Sequence, residues 1–412
     1  MAAEARGFHS PLSRLDVAGA FGDIGVLLPI AIALISLNHM NPTAVFLAAG
    51  LAYILAGAYF RIPMAVQPFK AVAAIALASS LAPSSIASAG LLLGLLLAVI
   101  GSTNLVTPLA RLFSVPIIRG IQLGLGLILL REGIRLTFES KPLSLGSFAL
   151  PSWAMALAGT ALLVAFLPSK RFPAALVLLG AGALVGAFAA HPSADGLGAG
   201  WGPMRLELLS PRIAELKKVL VLLVLPQFAL TFGNSVVATE NTARVLYGSE
   251  ARRVTARALS LSIGLMNVTS SLFLAAPTCH GSGGITAHYK FGARSPKSSY
   301  IIGGACLLLA LFGRAAVGIL NFIPTAVLAV FLGYVGVQHG ALVRDIVPKK
   351  KQLLVATTVG VVSLVATNLT LGFLVGFLVE GLFRVFGTSD PANAGRAVAG
   401  NRDAAAREEV RP

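Results

Sequence analysis

A single lysine interrupts the apolar run IPMAVQPFKAVAAIALASS at residues 62 to 80, where Pro63 and Pro68 bracket Gln67 and Lys70 follows directly after Phe69. An ammonium is costly in such surroundings, which makes Lys70 a candidate for meeting an anionic ligand. The competing readings are a side chain that snorkels to water or one that pairs with a carboxylate. Asp23, in DVAGAFGDIGVLLPIAIAL, is a carboxylate in a comparable position, about 10 Å of helix rise beyond Asp16. Two readings of Asp23 stand. It pairs with Lys70 and holds it in place, or it takes up a proton so that an anion can bind beside it, which would couple the anion to H⁺. Asp16 reads as interfacial. In LFLAAPTCHGSGGITAHYKFG, Thr278 and His280 have the chemistry to donate hydrogen bonds to an oxyanion. A satisfied packing residue is the other reading of His280, and Gln67 carries the same pair of readings.

The elements that must position these residues belong to a bilayer. The chain has 412 residues, 56% hydrophobic and only 12% charged, against about 25% charged in an ordinary soluble domain. Apolar runs long enough to cross about 30 Å of hydrocarbon recur along it. Read against Pro, Gly and charge punctuation, they give a first seven spans at about 17 to 37, 42 to 60, 62 to 80, 85 to 107, 115 to 130, 149 to 167 and 173 to 190. A second seven follow at about 217 to 239, 255 to 275, 277 to 291, 299 to 313, 323 to 340, 352 to 366 and 368 to 386. Residues 1–14 form a cytoplasmic N-terminal segment, 15–190 the first repeat, 191–216 a polar connector, 217–387 the second repeat, and 388–412 a disordered cytoplasmic tail. No cleavable signal peptide is visible, since the first apolar run is of spanning length. The net charge of +16 does not point to nucleic acid, because the basic residues fall in short loops between spans. Their bias toward loops such as RVLYGSEARRVTAR and VRDIVPKKK puts both termini in the cytoplasm. Cys279 and Cys306, the two cysteines, imply neither a disulfide framework nor a metal cluster, and no motif calls for a cofactor.

The halves repeat. FGD ending at Asp23 returns as FGN ending at Asn234, VQP ending at Pro68 as AAP ending at Pro277, and the proline of VPI, Pro116, as that of IPT, Pro324. The offsets are 211, 209 and 208. A seven-span unit lies in the membrane upside down relative to its copy, so the expected fold is an all-α polytopic protein with a 7+7 inverted repeat. Spans 3 and 10 should both break. Pro63 and Pro68 disfavour helix across residues 62 to 67, and five extended steps cover roughly 16 Å, half the hydrocarbon thickness. A helix beginning near Phe69 therefore starts near the midplane, as does the one that follows Pro277 from the other face. Two helix N-termini then converge, each with unpaired N–H groups and about half a positive charge, and Lys70 adds a full one. Glu240 with Arg244 and Glu380 with Arg384 read as solvated i, i+4 pairs, and Arg119 as either a snorkelling or a functional cation.

The blocks VAGAFGDIGVLLPIAIAL, GAYFRIPMAVQPFKAVAAIALA, LPQFALTFGNSVVAT and GLMNVTSSLFLAAPTCHGSGGITAHYKFGARS closely resemble the molybdate transporter family, a branch related to sulfate permeases, from about residue 14 to 386. The resemblance implies core and gate subdomains moving in an elevator-like way, and a site built by spans 1, 3, 8 and 10. It marks Asp23, Gln67, Lys70, Gln227, Asn234, Ser235, Thr278 and His280, and Phe69 and Cys279 stand beside them as further candidates for the substrate site. It implies a secondary transporter of molybdate, with sulfate or tungstate as related oxyanions, and a homodimer in the plasma (inner) membrane. A sulfate transporter or a channel-like anion conductor on the same fold is the alternative, and an enzyme is not expected. Where family members read Gly-Asp-Leu-Gly-Thr this chain has GDIGV, so Val26 offers no hydroxyl, and QFALT stands in place of Gln-Leu-Pro-Leu-Thr.

Overall fold

The computed structural model describes residues 13–386 apart from 104, 111–113, 146–147, 170–173 and 191–201. The segment 1–14 except its last two residues, part of the 191–216 connector and the tail from 388 lie outside them. Ser13 opens the chain with a capping box, its hydroxyl accepting from the Asp16 amide at 3.1 Å while the Asp16 carboxylate accepts from the Ser13 amide at 3.1 Å. This starts α1 (Arg14–Asn38). Asn41 and Pro42 start α2 (Pro42–Phe60), which ends where Arg61 turns left-handed at φ 59°. The backbone then leaves helical geometry for β1 (Gln67–Pro68) and resumes as α3 (Lys70–Ala78). There follow α4 (Pro83–Ser102), α5 (Val106–Ala110), α6 (Val115–Glu139), the hairpin β2 (Leu143–Leu145) and β3 (Phe148–Leu150), α7 (Ser152–Phe166) and α8 (Ala174–Ala190).

In the second half α9 runs from Ile213 to Arg253, with α10 (Ala256–Leu272) after it. Next come β4 (Thr278–Cys279), α11 (Ser282–Lys290), α12 (Lys297–Leu311) and α13 (Gly313–Asn321). The chain closes with α14 (Thr325–Gly340), α15 (Lys350–Ala366) and α16 (Leu369–Phe386).

Three departures from the sequence reading have physical causes. The fifth span, expected to stop at 130, continues as α6 to Glu139 because Arg135 pairs along the helix with Glu132 at 2.7 Å and Glu139 at 3.4 Å, extending it past the apolar run. The eighth, expected over 217 to 239, stays helical from Ile213 to Tyr247, where Gly248 turns the backbone at φ 54° before a 3₁₀ turn to Arg253. It absorbs Pro226 by π-helical turns at Leu220–Val224 and Thr231–Ala238. The fold is helical as expected, and the third difference is four short strands among the described residues, of which β1 and β4 pair with each other. α5, α13 and the β2–β3 hairpin are connectors that the apolar runs did not announce.

By length and composition, α2, α4, α9 and the helical stretch Thr325–Ile346 each suffice to cross a membrane. α1 and α6 are longer than α2 and α4, at 25 residues each, while α3 and α11, at nine residues, are too short to cross alone. The packing pairs have a regularity: α4 lies along α10, α2 along α12, and α6 along α14 and α15. With the spans numbered in sequence, 4 on 9 becomes 11 on 2 when seven is added or subtracted, and α1 on α11 likewise maps onto α9 on α3. Small residues permit these approaches. A β-carbon on Gly94 would lie 2.9 Å from the Gly264 carbonyl, and one on Gly50 would lie 2.9 Å from that of Gly303, so each backbone touches its partner directly. The main core is buried between these layers, and a second cluster joins Ile32, Leu163, Leu178 and Phe331 where α7 and α8 meet α14. Outward faces keep Leu55, Leu157, Val365 and Leu378 between 66% and 79% exposed, a surface suited to hydrocarbon rather than water.

Candidate functional site

The site is assembled where two helical runs are interrupted side by side. Extended backbone inside an apolar protein must find partners for its N–H and C=O groups. Here the two interruptions partner each other. β1 and β4 are antiparallel with Gln67 opposite Cys279 and Pro68 opposite Thr278, and the Phe69 amide donates to the Pro277 carbonyl at 2.8 Å. Side chains from flanking helices close what remains. Asn267 on α10 accepts from the Thr278 amide at 2.8 Å and donates to the Thr278 carbonyl at 2.6 Å. Ser299 on α12 does the same for Met64, accepting from its amide at 2.9 Å and donating to its carbonyl at 3.1 Å.

His280 is part of this bracing. Its Nδ1 lies 2.9 Å from the Ala65 carbonyl and its Nε2 2.9 Å from the Ser262 hydroxyl. A carbonyl only accepts, so Nδ1 carries the proton and the Ser262 hydroxyl donates to Nε2. With Phe60 edge-on at 5.5 Å, both ring nitrogens are occupied by the protein, and the packing reading of this histidine describes its geometry.

Asp23 is fully buried on α1 and accepts from the Tyr53 hydroxyl and from Gln67 Nε2. Among the described residues no cation lies within ion-pair distance of it, so the Asp23–Lys70 pair, one of the two readings of Asp23, is not formed. Neutral donors have taken that place. Lys70, the first residue of α3, is half-buried and has no hydrogen-bond or ion-pair partner among the described residues, although Asp23 and Cys279 act on it electrostatically. Phe69 is buried as its N-cap.

The two helix starts differ from the expectation that both are open. At α3, Gln227 Oε1 accepts from the amides of Ala71 at 2.9 Å and Val72 at 3.3 Å, while Gln227 Nε2 donates to the Thr231 hydroxyl at 2.9 Å. At α11, no acceptor among the described residues meets the Ser282 or Gly283 amide. The π-helical turn of α9 brings Asn234 and Ser235 to this end. Asn234 Oδ1 accepts from the Ser282 hydroxyl at 2.8 Å, and Ser235 is buried beside it on α9. Residues of spans 1, 3, 8 and 10 therefore meet here. Thr278 contributes its backbone to the strand pair, and Val26 is half-buried nearby on α1. Tyr53, Asn267, Ser262, Thr231 and Ser299 were not singled out from the sequence. Their signal was a polar side chain within an apolar run, which eight other serines and threonines of the same runs share.

Comparison with known proteins fits this arrangement. The family described as "Molybdate transporter of MFS superfamily" matches residues 16–129 and 219–338, two blocks that carry the two halves of the site. The chain belongs to the molybdate transporter family. Molybdate transporter 2 of Arabidopsis thaliana is 30% identical over 91% of this chain and 88% of its own length. Molybdate transporter 1 of Chlamydomonas reinhardtii is 29% identical over 91% and 92%. Among solved structures, the transmembrane domain of a cyanobacterium bicarbonate transporter, BicA, superposes with a TM-score of 0.65 at 19% identity, covering 90% of this chain and 98% of that one. SLC26A9 gives 0.64 at 18% identity over 91% and 66%. The molybdate transporter family member described here is thus an integral membrane protein with the BicA and SLC26A9 fold, an anion transporter and not an enzyme.

Proposed function

We propose that this chain is a secondary active transporter whose cargo is a tetrahedral oxyanion, molybdate before sulfate or tungstate, bound between the starts of α3 and α11. One observation carries the reading: Lys70, an ammonium without a partner among the described residues, stands at the start of a helix that begins inside the protein, beside a second helix start with open amides. A fixed positive charge and preorganised N–H donors are what a dianion requires. The relatives named molybdate transporters support the cargo.

In this reading the chain has fourteen spans in two inverted repeats, 15–190 and 217–387, whose half-helices in spans 3 and 10 start near the bilayer midplane. The exchangeable packing pairs support that arrangement. Spans 1, 3, 8 and 10 belong to a core that slides against a gate containing α6 and α14. Both termini face the cytoplasm of a plasma membrane, and two copies associate as a homodimer. Asp23 couples transport to protons. Its burial beside two neutral donors and no cation favours a carboxyl that gains and loses H⁺ over a permanent ion pair. Its repeat mate Asn234 cannot titrate, which leaves one such group per site.

The test is uptake of labelled molybdate into proteoliposomes with sulfate, tungstate and phosphate as competitors. Uptake inhibited by tungstate and sulfate is expected, and failure of all these oxyanions to move would end the assignment. Asp23→Asn should abolish accumulation driven by a pH gradient while retaining exchange of internal for external molybdate.

A further inference from the structure

We propose that Gly283 sets the size of the oxyanion that the site accepts, an inference resting on the oxyanion reading above. Three glycines surround the start of α11, and they stand in different surroundings. A β-carbon on Gly281 would lie 2.8 Å from Gln67 Oε1, and one on Gly284 would lie 2.4 Å from the Ala65 side chain and 2.6 Å from an Asp23 carboxylate oxygen. Those two let the protein pack on itself. A β-carbon on Gly283 would meet no atom within 4 Å, and Gly283 is exposed between the buried Ser282 and Gly284. The chain thus leaves a space at Gly283 that it does not use.

The surroundings of that space are those of a binding site. The Ser282 and Gly283 amides open there without an acceptor among the described residues. Asn234 is half-buried, with its oxygen engaged by the Ser282 hydroxyl and no acceptor for its Nδ2 among the described residues. Gln67, 2% exposed, turns an unpartnered Oε1 against Gly281, the N-cap of α11. Open amide donors at a helix start suit an oxyanion. Because φ at Gly283 is not left-handed, alanine fits its backbone, so the missing methyl group reflects the space and not the conformation.

Molybdate is a larger tetrahedron than sulfate. A methyl group placed at residue 283 therefore takes room that the larger ion fills and the smaller one leaves slack. One methyl or methylene in a fitted pocket discriminates by about tenfold or more.

The experiment compares wild-type protein with Gly283→Ala in proteoliposomes, measuring the half-saturation for molybdate and the inhibition constant of sulfate. Gly283→Ala should weaken molybdate at least tenfold and sulfate less than threefold, at an unchanged melting temperature. Equal changes for the two ions would overturn the proposal while leaving oxyanion transport intact. A wild-type protein that moves no oxyanion would overturn the underlying reading as well. A second measurement covers the case in which Gly283→Ala does not fold: labelling of G283C by a small methanethiosulfonate. Molybdate at concentrations that saturate uptake should slow it at least fivefold, and labelling indifferent to molybdate overturns the proposal.

Discussion

α3 and α11 each have nine residues, each follow a two-residue strand, and those strands pair with one another, yet the two helix starts are finished in opposite ways. At α3 a neutral oxygen from Gln227 occupies the amides of Ala71 and Val72, and the helix carries Lys70 in its first turn. At α11 the first amides are open and no cation occupies the first turn, which reads Ser282, Gly283, Gly284. A capped terminus has already used the donors that attract an anion, so whatever α3 contributes must come from the lysine. An open terminus contributes through its amides, provided that no side chain fills the approach, and Gly283 leaves it clear. Under the proposed oxyanion reading, the two halves of the chain divide one task, charge from the first and hydrogen bonds from the second. A symmetric pair of open ends would offer two half-sites with no reason to prefer either.

The strongest way to break this comparison is to remove the clamp that holds the strand pair. Asn267→Leu leaves the buried amide and carbonyl of Thr278 without partners, which should destabilise the protein by about 3 kcal/mol, read by denaturation in detergent. A loss below about 1 kcal/mol would mean that water or a rearranged strand replaces the clamp. Next in size is Lys70→Gln. With the fold unchanged, molybdate affinity should fall about a hundredfold, or about 2.7 kcal/mol, by equilibrium binding to purified protein. Affinity within threefold of wild type would assign recognition to α11 alone. Gln227→Leu should come third, lowering stability by about 1–2 kcal/mol as a lost cap and molybdate affinity by about tenfold, because the turn that carries Lys70 loses its anchor. An increase in affinity would identify Gln227 Oε1 as a competitor of the substrate for the same amides.

Much of the fold was legible in the chain because apolar length and proline are direct physical constraints. α2 spans 42 to 60 as read, and the break between Pro63 and Pro68 leads into a helix one residue beyond the expected start. Less was legible where a partner elsewhere decides the outcome. That α6 continues to Glu139 depends on ion pairs, and that α9 passes Pro226 without stopping depends on π turns that its neighbours tolerate. The site shows the same division. Lys70 and Asp23 announce themselves as charges among apolar residues, but a sequence does not say which opposite group a buried charge will find. Asp23 meets Tyr53 and Gln67 rather than Lys70, and Tyr53 sits in an apolar span with no charged residue to mark it. The role of Gln227 as a cap needed the coordinates of α3 across 156 residues of sequence separation.

The smallest expected effect sharpens the comparison most, because its sign differs between two accounts of Gln227. Thr231 holds Gln227 Nε2 at 2.9 Å, one turn along α9, and both residues are buried. Thr231→Val preserves shape and removes that acceptor, which should cost about 0.5–1.5 kcal/mol. If Gln227 acts through its oxygen, fixing the start of α3 and hence Lys70, the loosened amide blurs the lysine's position and molybdate affinity falls two- to fourfold. If Gln227 instead gives its Nε2 hydrogens to the oxyanion, Thr231 is the competitor that keeps them away, and its removal raises affinity. The capped reading of α3 requires the fall. A rise would mean that α3, like α11, presents donors to the substrate, and that the two repeats share the task rather than divide it.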